Sequence, residues 1–353
     1  MSRKILFALA IVAVVLLITM SALAQSPSPA LLILEKSDNM LAIVDPASLK
    51  ILVRVPAGPD PHEIVASSDG KLAYISNYGG LDSDLHTISV VDLAARTALP
   101  PIDLGAVHSA HGLDFAGGKL YFTAETNKVI GRYDPTTQKI DWIMGTGQDR
   151  THMVWVGPGL DRIVTSNVNS GTISVIELAV PTNPGYGPPP SARKTWEVTS
   201  VPSGHGSEGF DVSPDGKEIW SANAQDGTVT IIDVASKKAT QTVPISVKGA
   251  NRLKFTLDGK RVLVSGLGGG PGANQNAANP NLVVIDAFTR KEIRKIFLGG
   301  GSGGILIQPG GGRAYVAVSQ RNKIAVIDLN TLEVTGEIST GRNPDGLAWA
   351  APQ

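Results

Sequence analysis

The feature that most constrains the fold is a unit of about 45 residues that recurs along the chain. One copy, residues 206–245, contains four short runs rich in β-branched residues, separated by the turn signals "SPDGK", "AQDG" and "DVASKK". No run has the 3.6-residue period of a helix, and each has the length of a strand. The third run of the unit occurs seven times, and each copy ends in an acid: Asp45, Asp92, Asp134, Glu177, Asp233, Asp286 and Asp328.

Seven units of four strands predict an all-β protein, a seven-bladed β-propeller formed by residues 25–353. One four-stranded sheet cannot bury both of its faces, whereas seven sheets packed radially can. The first unit has only three strand-like runs, and the chain ends with a lone first-type run, "DGLAWAA" at 345–351. We therefore predict that the C-terminal strand joins the N-terminal blade and closes the ring without open sheet edges.

The elements "SPDGK", "YISN", "TVTIID" and "DPASLK" resemble the repeats of the YVTN family of seven-bladed β-propellers, over essentially the whole chain after residue 24. The resemblance implies the fold. It does not imply one function, because this group is similar to surface-layer proteins, to virginiamycin B lyase-like and lactonase-like enzymes, and to propellers of periplasmic redox enzymes. A WD dipeptide signature is lacking, which disfavours the WD40 branch.

Most of the repeated polar residues have a structural explanation. An Asp that opens a turn such as "DPASLK" accepts a backbone N–H two residues on, and the glycines of "SSDGK", "SPDGK" and "TLDGK" suit the positive φ of hairpin turns. The sequence contains no P-loop or H-E-x-x-H motif. Sequence motifs therefore do not identify a reaction.

Charge and the N-terminal segment limit the partners and the location. The chain has 31 Lys and Arg against 31 Asp and Glu, so no net field attracts nucleic acid. "MSRK", a 16-residue apolar stretch and "SALA" predict a signal peptide, residues 1–24, cleaved after Ala24. The sequence has no cysteine, which excludes a lipid-anchored cysteine and a disulfide. We expect a periplasmic or secreted monomer that is free of the membrane after cleavage.

Histidines recur where first strands begin, in "DPHEIVA" (60–66), "SAHGLDF" (109–115) and "RTHMVWV" (150–156). The first strand of each blade lines the central channel, and all seven run in one direction, so residues that enter them form a ring at its mouth. Aligning the blades gives this ring as His62, His111, His152, Glu208, Asn251, Gly303 and Asp345. Three residues earlier lies a second ring: Pro59, His108, Asp149, His205, Lys248, Gly300 and Arg342. We predict that His62, His111 and His152 approach one another beside Glu208, with His108 and His205 one layer above.

Strand alternation places the sixth histidine, His86, and the long loop 266–281 on the same face of the disc as the ring. The Pro-rich insertion at 180–193 falls on the opposite face. Three interpretations of the histidines remain open. They are structural groups that bond the backbone; or they form a metal site; or a His–Glu pair performs acid–base chemistry, as the resemblance to the lyase group permits. The metal site would hold one divalent transition metal through His62, His111, His152 and Glu208.

The leading functional prediction is an exported propeller that binds a small molecule, a glycan or a protein at this mouth. Its predicted ligand-binding residues are His62, His108, His111, His152, His205, Glu208, Asn251 and Asp345. The alternative is an enzyme of lyase, lactonase or metal-oxidase type at the same place. Its candidate catalytic residues are His111, His152 and Glu208.

Overall fold

The computed structural model describes residues 29–81, 83–180, 194–268 and 281–351. These residues form seven four-stranded antiparallel sheets, which confirms the predicted seven-bladed β-propeller. The predicted signal peptide, the predicted insertion at 180–193 apart from its first residue, and most of the loop 266–281 lie outside the described residues. Within the described residues, no helix is both long and apolar enough to cross a bilayer.

Each blade has an innermost, a second, a third and an outermost strand. The innermost strands are β28 (Pro344–Ala350), β4 (Pro61–Ala66), β8 (Ala110–Ala116), β12 (Thr151–Val156), β16 (Ser207–Val212), β20 (Ala250–Phe255) and β24 (Ile305–Ile307). The second strands are β1 (Ala30–Glu35), β5 (Leu72–Asn77), β9 (Lys119–Ala124), β13 (Arg162–Asn167), β17 (Glu218–Asn223), β21 (Arg261–Gly266) and β25 (Arg313–Val318). We number the blades 1 to 7 in this order, so that blade 1 contains β28 and β1.

The third strands are β2 (Met40–Asp45), β6 (Thr87–Asp92), β10 (Val129–Asp134), β14 (Thr172–Ala179), β18 (Thr228–Asp233), β22 (Leu282–Asp286) and β26 (Lys323–Asp328). The outermost strands are β3 (Lys50–Pro56), β7 (Thr97–Asp103), β11 (Lys139–Gly145), β15 (Thr195–Pro202), β19 (Lys238–Pro244), β23 (Lys291–Ile296) and β27 (Glu333–Ser339). Two 3₁₀ turns, Lys36–Asp38 and Ser319–Arg321, follow β1 and β25.

The C-terminal strand closes the ring as predicted. β28 pairs antiparallel with β1, with Leu31 opposite Trp349 and Ala30 opposite Ala350. Each innermost strand contacts the innermost strands of both neighbouring blades, so the seven of them surround one channel. The hydrophobic core lies between blades: Leu34 of β1, for example, belongs to the same buried cluster as Ile75 of β5. Each blade thus stabilises its two neighbours.

The repeated turn residues are structural, as the sequence indicates. Asp45 accepts hydrogen bonds from the backbone N–H groups of Ala47 and Ser48 at 3.2 and 3.1 Å. The hairpin glycines Gly70 and Gly216 have φ values of 68° and 71°, which an L side chain adopts only with strain. These residues hold the turns and lie away from the channel mouth.

Candidate functional site at the channel mouth

Each candidate residue in blades 2 to 5 lies in a β-bulge of an innermost strand. In β8, His111 and Gly112 both lie opposite the single residue Thr123 of β9. A bulge leaves its extra residue outside the ladder and redirects its side chain, and here it directs the side chain into the channel mouth. β4, β12 and β16 have the same irregularity, at His62, His152 and Glu208.

The bulge also explains why Gly follows His111. A Cβ atom on Gly112 would lie 2.4 Å from the carbonyl oxygen of His152 in the next blade. The Thr123 hydroxyl accepts a hydrogen bond from the Gly112 N–H at 2.8 Å and donates one to the same His152 oxygen at 2.5 Å. The Thr123 hydroxyl therefore connects the bulge of blade 3 to the His152 carbonyl of blade 4 through two hydrogen bonds. These bonds fix the spacing between His111 and His152.

A second set of side chains reaches the mouth from the residue that directly follows a second strand. Lys36 follows β1, Tyr78 follows β5 and Glu125 follows β9. Each contacts the histidine of the next blade: the Lys36 ammonium contacts His62, the Tyr78 ring centroid lies 4.9 Å from that of His111, and Glu125 contacts His152. Blades 1 to 3 thus contribute three polar groups that the first-strand alignment did not include.

The structure brings the three histidines together as the alignment predicts. The ring centroids of His62 and His111 are 4.4 Å apart, and those of His111 and His152 are 3.7 Å apart. His111 and His152 are buried, while the side chain of His62 is 14% exposed at the mouth. Glu208 lies beside them, with Oε2 2.9 Å from Nε2 of His152.

His111 is the least satisfied polar side chain of this group. Within the described part of the chain, neither of its ring nitrogens has a hydrogen-bond partner. Leaving a buried polar group without a partner costs about 1–3 kcal/mol. Burial, with the neighbouring His152 and His62, lowers the pKa of His111 well below its usual value, so the ring is neutral and has a free lone pair.

His152 lies between two carboxylates. Its Nδ1 contacts Glu125, and its Nε2 lies near Glu208 without the alignment of a hydrogen bond, so the second contact is an ion pair only. Burial lowers the pKa of His152, but Glu208 and Glu125 outweigh burial and raise the pKa above its usual value. Glu208 is the acid that the alignment places next to His152, whereas Glu125, the second acid, lies outside that alignment.

The carboxylate of Glu208 is held ionised. Burial alone would raise its pKa, but His152 and then Arg150 lower the pKa to about 2. Arg150 bridges the two carboxylates, with Nε 3.3 Å from Glu125 and Nη1 3.4 Å from Glu208. The Tyr78 hydroxyl donates to the second oxygen of Glu125 at 2.5 Å. Both carboxylates are therefore oriented by partners that do not use the histidine-facing oxygens.

His62 has a different environment from its neighbours. Its Nδ1 faces the Lys36 ammonium and lies 3.5 Å from Oδ2 of Asp345. Burial, and then the positive charge of Lys36, lower the pKa of His62 well below its usual value. His62 is therefore neutral, and its Nδ1 lone pair already accepts a hydrogen bond from Lys36.

The mouth as a whole contains more negative than positive charge. Ion pairs and short contacts connect five carboxylates to three basic side chains: Asp60, Glu63, Glu125, Glu208 and Asp345, with Lys36, Arg150 and Arg252. When the imidazoles are neutral, two negative charges remain uncompensated. Burial raises the pKa of Asp345, although Lys36 and Arg252 lower it in part. A bound divalent cation would neutralise the two uncompensated charges.

One group within the described residues has the donors and the spacing of a metal site: His111, Glu125 and His152, whose ligand atoms lie within 4.8 Å of one another. Two imidazoles and one carboxylate suit zinc and similar divalent ions. Ligand bonds of about 2.1 Å require the atoms to approach further, which small side-chain rotations can supply. Glu208 and His62 adjoin this group, and the sequence-predicted set of His62, His111, His152 and Glu208 remains a prediction.

The other predicted residues lie apart from the buried histidines. The His205 side chain is 82% exposed and pairs with Asp226 at 3.0 Å. His108 lies near His86, with ring centroids 5.7 Å apart, at the rim of the same face. Asn251 is buried in the mouth, and its side-chain oxygen accepts a hydrogen bond from Arg252 at 3.2 Å. These side chains can contact a large ligand but do not join the metal group.

Comparisons with known proteins support the fold and nothing finer. No family model and no curated protein matches the chain. A protein of unknown function from Desulfotomaculum acetoxidans is 12% identical, with a TM-score of 0.70 over 92% of this chain and 100% of that one. A proposed 6-phosphogluconolactonase from Bacteroides fragilis is 16% identical, with a TM-score of 0.68 over 92% and 99%. Hydrazine synthase from Kuenenia stuttgartiensis is 18% identical, with a TM-score of 0.64 over 82% and 89%.

Proposed function

We propose that the protein is an exported, YVTN-type β-propeller that binds one divalent transition-metal ion at the channel mouth through His111, His152 and Glu125. The ion then holds a small-molecule ligand that enters past His62 and Glu208. The observation that carries the proposal is His111, a buried imidazole with two unpartnered nitrogens that lies against a second histidine and a carboxylate. A metal bond would satisfy one of those nitrogens.

Charge supports the same assignment. The mouth has two uncompensated negative charges when its histidines are neutral, and a divalent cation matches that number. In the metal-free state the proton on His152 compensates one of them, which agrees with its raised pKa. Binding the ion therefore replaces a proton on His152, as is usual for histidine ligands.

The test is the metal content of protein purified without a histidine tag, after dialysis against the ion and then against metal-free buffer. We expect about one ion per chain for the unaltered protein and for a matched control, Asn251→Ala, which changes the same ring on the opposite side. The double variant His111→Ala/His152→Ala should retain none while keeping the β-sheet signal in circular dichroism. Equal metal content in all three proteins would reject the site.

A second candidate function is metal-free acid–base catalysis, and one observation favours it. His152 has a carboxylate on each side, an arrangement that orients an imidazole and tunes its proton affinity. His152 would move a proton at Nε2, with Glu125 holding Nδ1. The likeness to a proposed 6-phosphogluconolactonase makes lactones a reasonable first substrate class. Turnover that persists in excess chelator and disappears in Glu125→Gln would favour this candidate over the metal site.

A further inference from the structure

The channel contains a second chamber below the mouth. All seven innermost strands line this cavity, whose volume is about 380 Å³, within the range of small-molecule sites. Its upper end is formed by Glu63 of β4 and Arg252 of β20, which lie on opposite sides of the channel and pair at 2.5 Å. Both occupy the position after the ring residue, where several other blades have Gly. This ion pair separates the chamber from the histidines.

Two acids in the chamber occupy equivalent positions of their blades but have different partners. Asp211 accepts a hydrogen bond from the Phe255 N–H at 2.8 Å, and its other oxygen pairs with Lys254 at 3.1 Å. Asp114 accepts the corresponding bond from the Val156 N–H at 2.7 Å. Within the described residues, however, no Lys or Arg nitrogen lies within 4.0 Å of the Asp114 carboxylate. The position equivalent to Lys254 in the blade beside Asp114 is Trp155.

The chamber as a result has one more negative than positive charge. The charged lining residues are Glu63, Asp114, Asp211, Arg252 and Lys254, and two of the three acids are paired. Burial raises the pKa of Asp114 to about 6, and the hydrogen bond from Val156 and the more distant charge of Lys254 offset burial only in part. At neutral pH the carboxylate is still mostly ionised.

The same chamber also has aromatic walls. Phe115, Trp155 and Trp349 line the chamber and are only partly buried. Two of them are fixed from behind: Phe115 stacks on Tyr74 at 5.6 Å, and Trp349 stacks on Tyr315 at 6.4 Å. Aromatic walls in a chamber with an excess negative charge favour an organic cation, because ring faces attract cations and exclude water. An inorganic ion, in contrast, would lose its hydration without gaining ligands from these rings.

We propose that the lower chamber is a binding site for a small organic cation, a protonated amine or a quaternary ammonium compound, whose charge pairs with Asp114. Trp155 takes the place that a lysine has beside Asp211, so the ligand supplies the positive charge that this blade lacks. The site is independent of the metal site above the Glu63–Arg252 pair. Failure of either proposal leaves the other standing.

Isothermal titration calorimetry with choline tests the proposal, using 3,3-dimethyl-1-butanol as the neutral molecule of the same shape. We expect choline to bind the unaltered protein at least about tenfold more tightly than the alcohol. Asp114→Asn keeps an acceptor for the Val156 N–H but removes the charge, and it should weaken choline binding about tenfold or more. Asp233→Asn, the same change in an exposed turn away from the channel, is the matched control and should bind choline unchanged.

A second variant covers the case in which Asp114→Asn does not fold. Trp155→Leu keeps an apolar side chain in the wall but removes the ring, and it too should weaken choline binding while leaving binding of the alcohol nearly unchanged. No binding of choline, tetramethylammonium or phenethylamine up to about 10 mM would overturn the proposal. Equal affinity for choline and its neutral analogue would overturn it as well.

Discussion

The ring at the channel mouth has two sides that share one backbone arrangement and differ in their side chains. Blades 2 to 5 place ionisable residues in the bulges, namely His62, His111, His152 and Glu208, while blades 6 and 7 place Asn251 and Gly303 at the same height. The residues after the second strands divide similarly: Lys36, Tyr78 and Glu125 in blades 1 to 3, against Val168, Ala224 and Leu267 in blades 4 to 6. The repeat fixes where a side chain lies, and substitutions on one side of the ring give that side its chemistry.

The two sides also differ in how well their polar groups are satisfied. On the polar side, both ring nitrogens of His111 have no partner among the described residues. On the other side, Asn251 accepts a hydrogen bond from Arg252, and Ser265 donates one to the Gly303 carbonyl at 2.6 Å. Unsatisfied groups on one side of an otherwise satisfied ring support the proposed ligand site on that side.

We expect the largest effect from a deletion that opens the ring of blades on which both sides depend. Deleting residues 343–353 takes away β28, exposes the edge of β1 and opens the ring, so we expect loss of cooperative folding. A circular permutant that places 343–351 before residue 29 restores β28 as a hairpin with β1, because Ala350 pairs with Ala30. It should fold. A truncated protein that remains monomeric with an unchanged melting temperature would contradict the ring closure.

Three substitutions distinguish a metal ligand on the polar side from a residue that only orients such a ligand. Glu125→Gln should weaken metal binding about 100-fold or more, because it removes a charged ligand. Tyr78→Phe removes only the hydroxyl that donates to Glu125, and we expect a loss of about tenfold, as for other supporting contacts to metal ligands. Asn251→Ala should have no effect. Calorimetric titration with Zn²⁺ measures all three, and an equal loss for Tyr78→Phe and Glu125→Gln would assign Glu125 a structural role.

The pH dependence of metal binding follows from the raised pKa of His152. Below that pKa the ion must displace a proton, so affinity should increase about tenfold per pH unit and level off once the pKa is passed. The lowered pKa values of His62 and His111 mean that neither adds a proton near neutrality. Titrations in two buffers of different ionisation enthalpy at about pH 6.5 should give more than half a proton, and at most one, released per ion. Release of two or three protons would show that the assigned protonation states are wrong.

The smallest effect concerns stability without metal. His111→Met replaces an unsatisfied imidazole with an apolar side chain of similar size, and we expect the metal-free protein to become more stable by about 1–2 kcal/mol. Asn251→Leu on the other side should destabilise it, because Arg252 loses its hydrogen-bond acceptor. Urea unfolding in the presence of chelator measures both changes. Destabilisation by both substitutions would mean that the two sides of the ring are equally satisfied.

The fold and the three-histidine cluster could be predicted from the sequence because both depend on the repeat. Strand periodicity gave the blades, and equivalent positions in neighbouring blades must lie at equal height around one axis. The surrounding groups could not be found in the same way. Glu125 lies in a different strand connection from the histidines, and its signal was weak: it is an acid at the position directly after a second strand, where blades 4 to 6 have Val168, Ala224 and Leu267.

The electrostatic details also depend on contacts that periodicity does not encode. The Glu63–Arg252 pair joins residues 189 positions apart across the channel. The raised pKa of His152 arises from two carboxylates of two other blades. The alignment predicted that Glu208 follows His152 in the ring, but not that Glu125 contacts His152 from the other side.

Anomalous X-ray diffraction at the zinc edge, from crystals of the untagged protein grown with Zn²⁺, tests the central claim most directly. The proposed site predicts one strong peak at the channel mouth, about 2.0–2.2 Å from a nitrogen of His111, a nitrogen of His152 and an oxygen of Glu125. Because the bound ion neutralises the excess negative charge of the mouth, we expect the crystal structure to show Arg150 still in contact with Glu208. A mouth without an anomalous peak, in which His111 bonds to ordered water instead, would contradict the metal site.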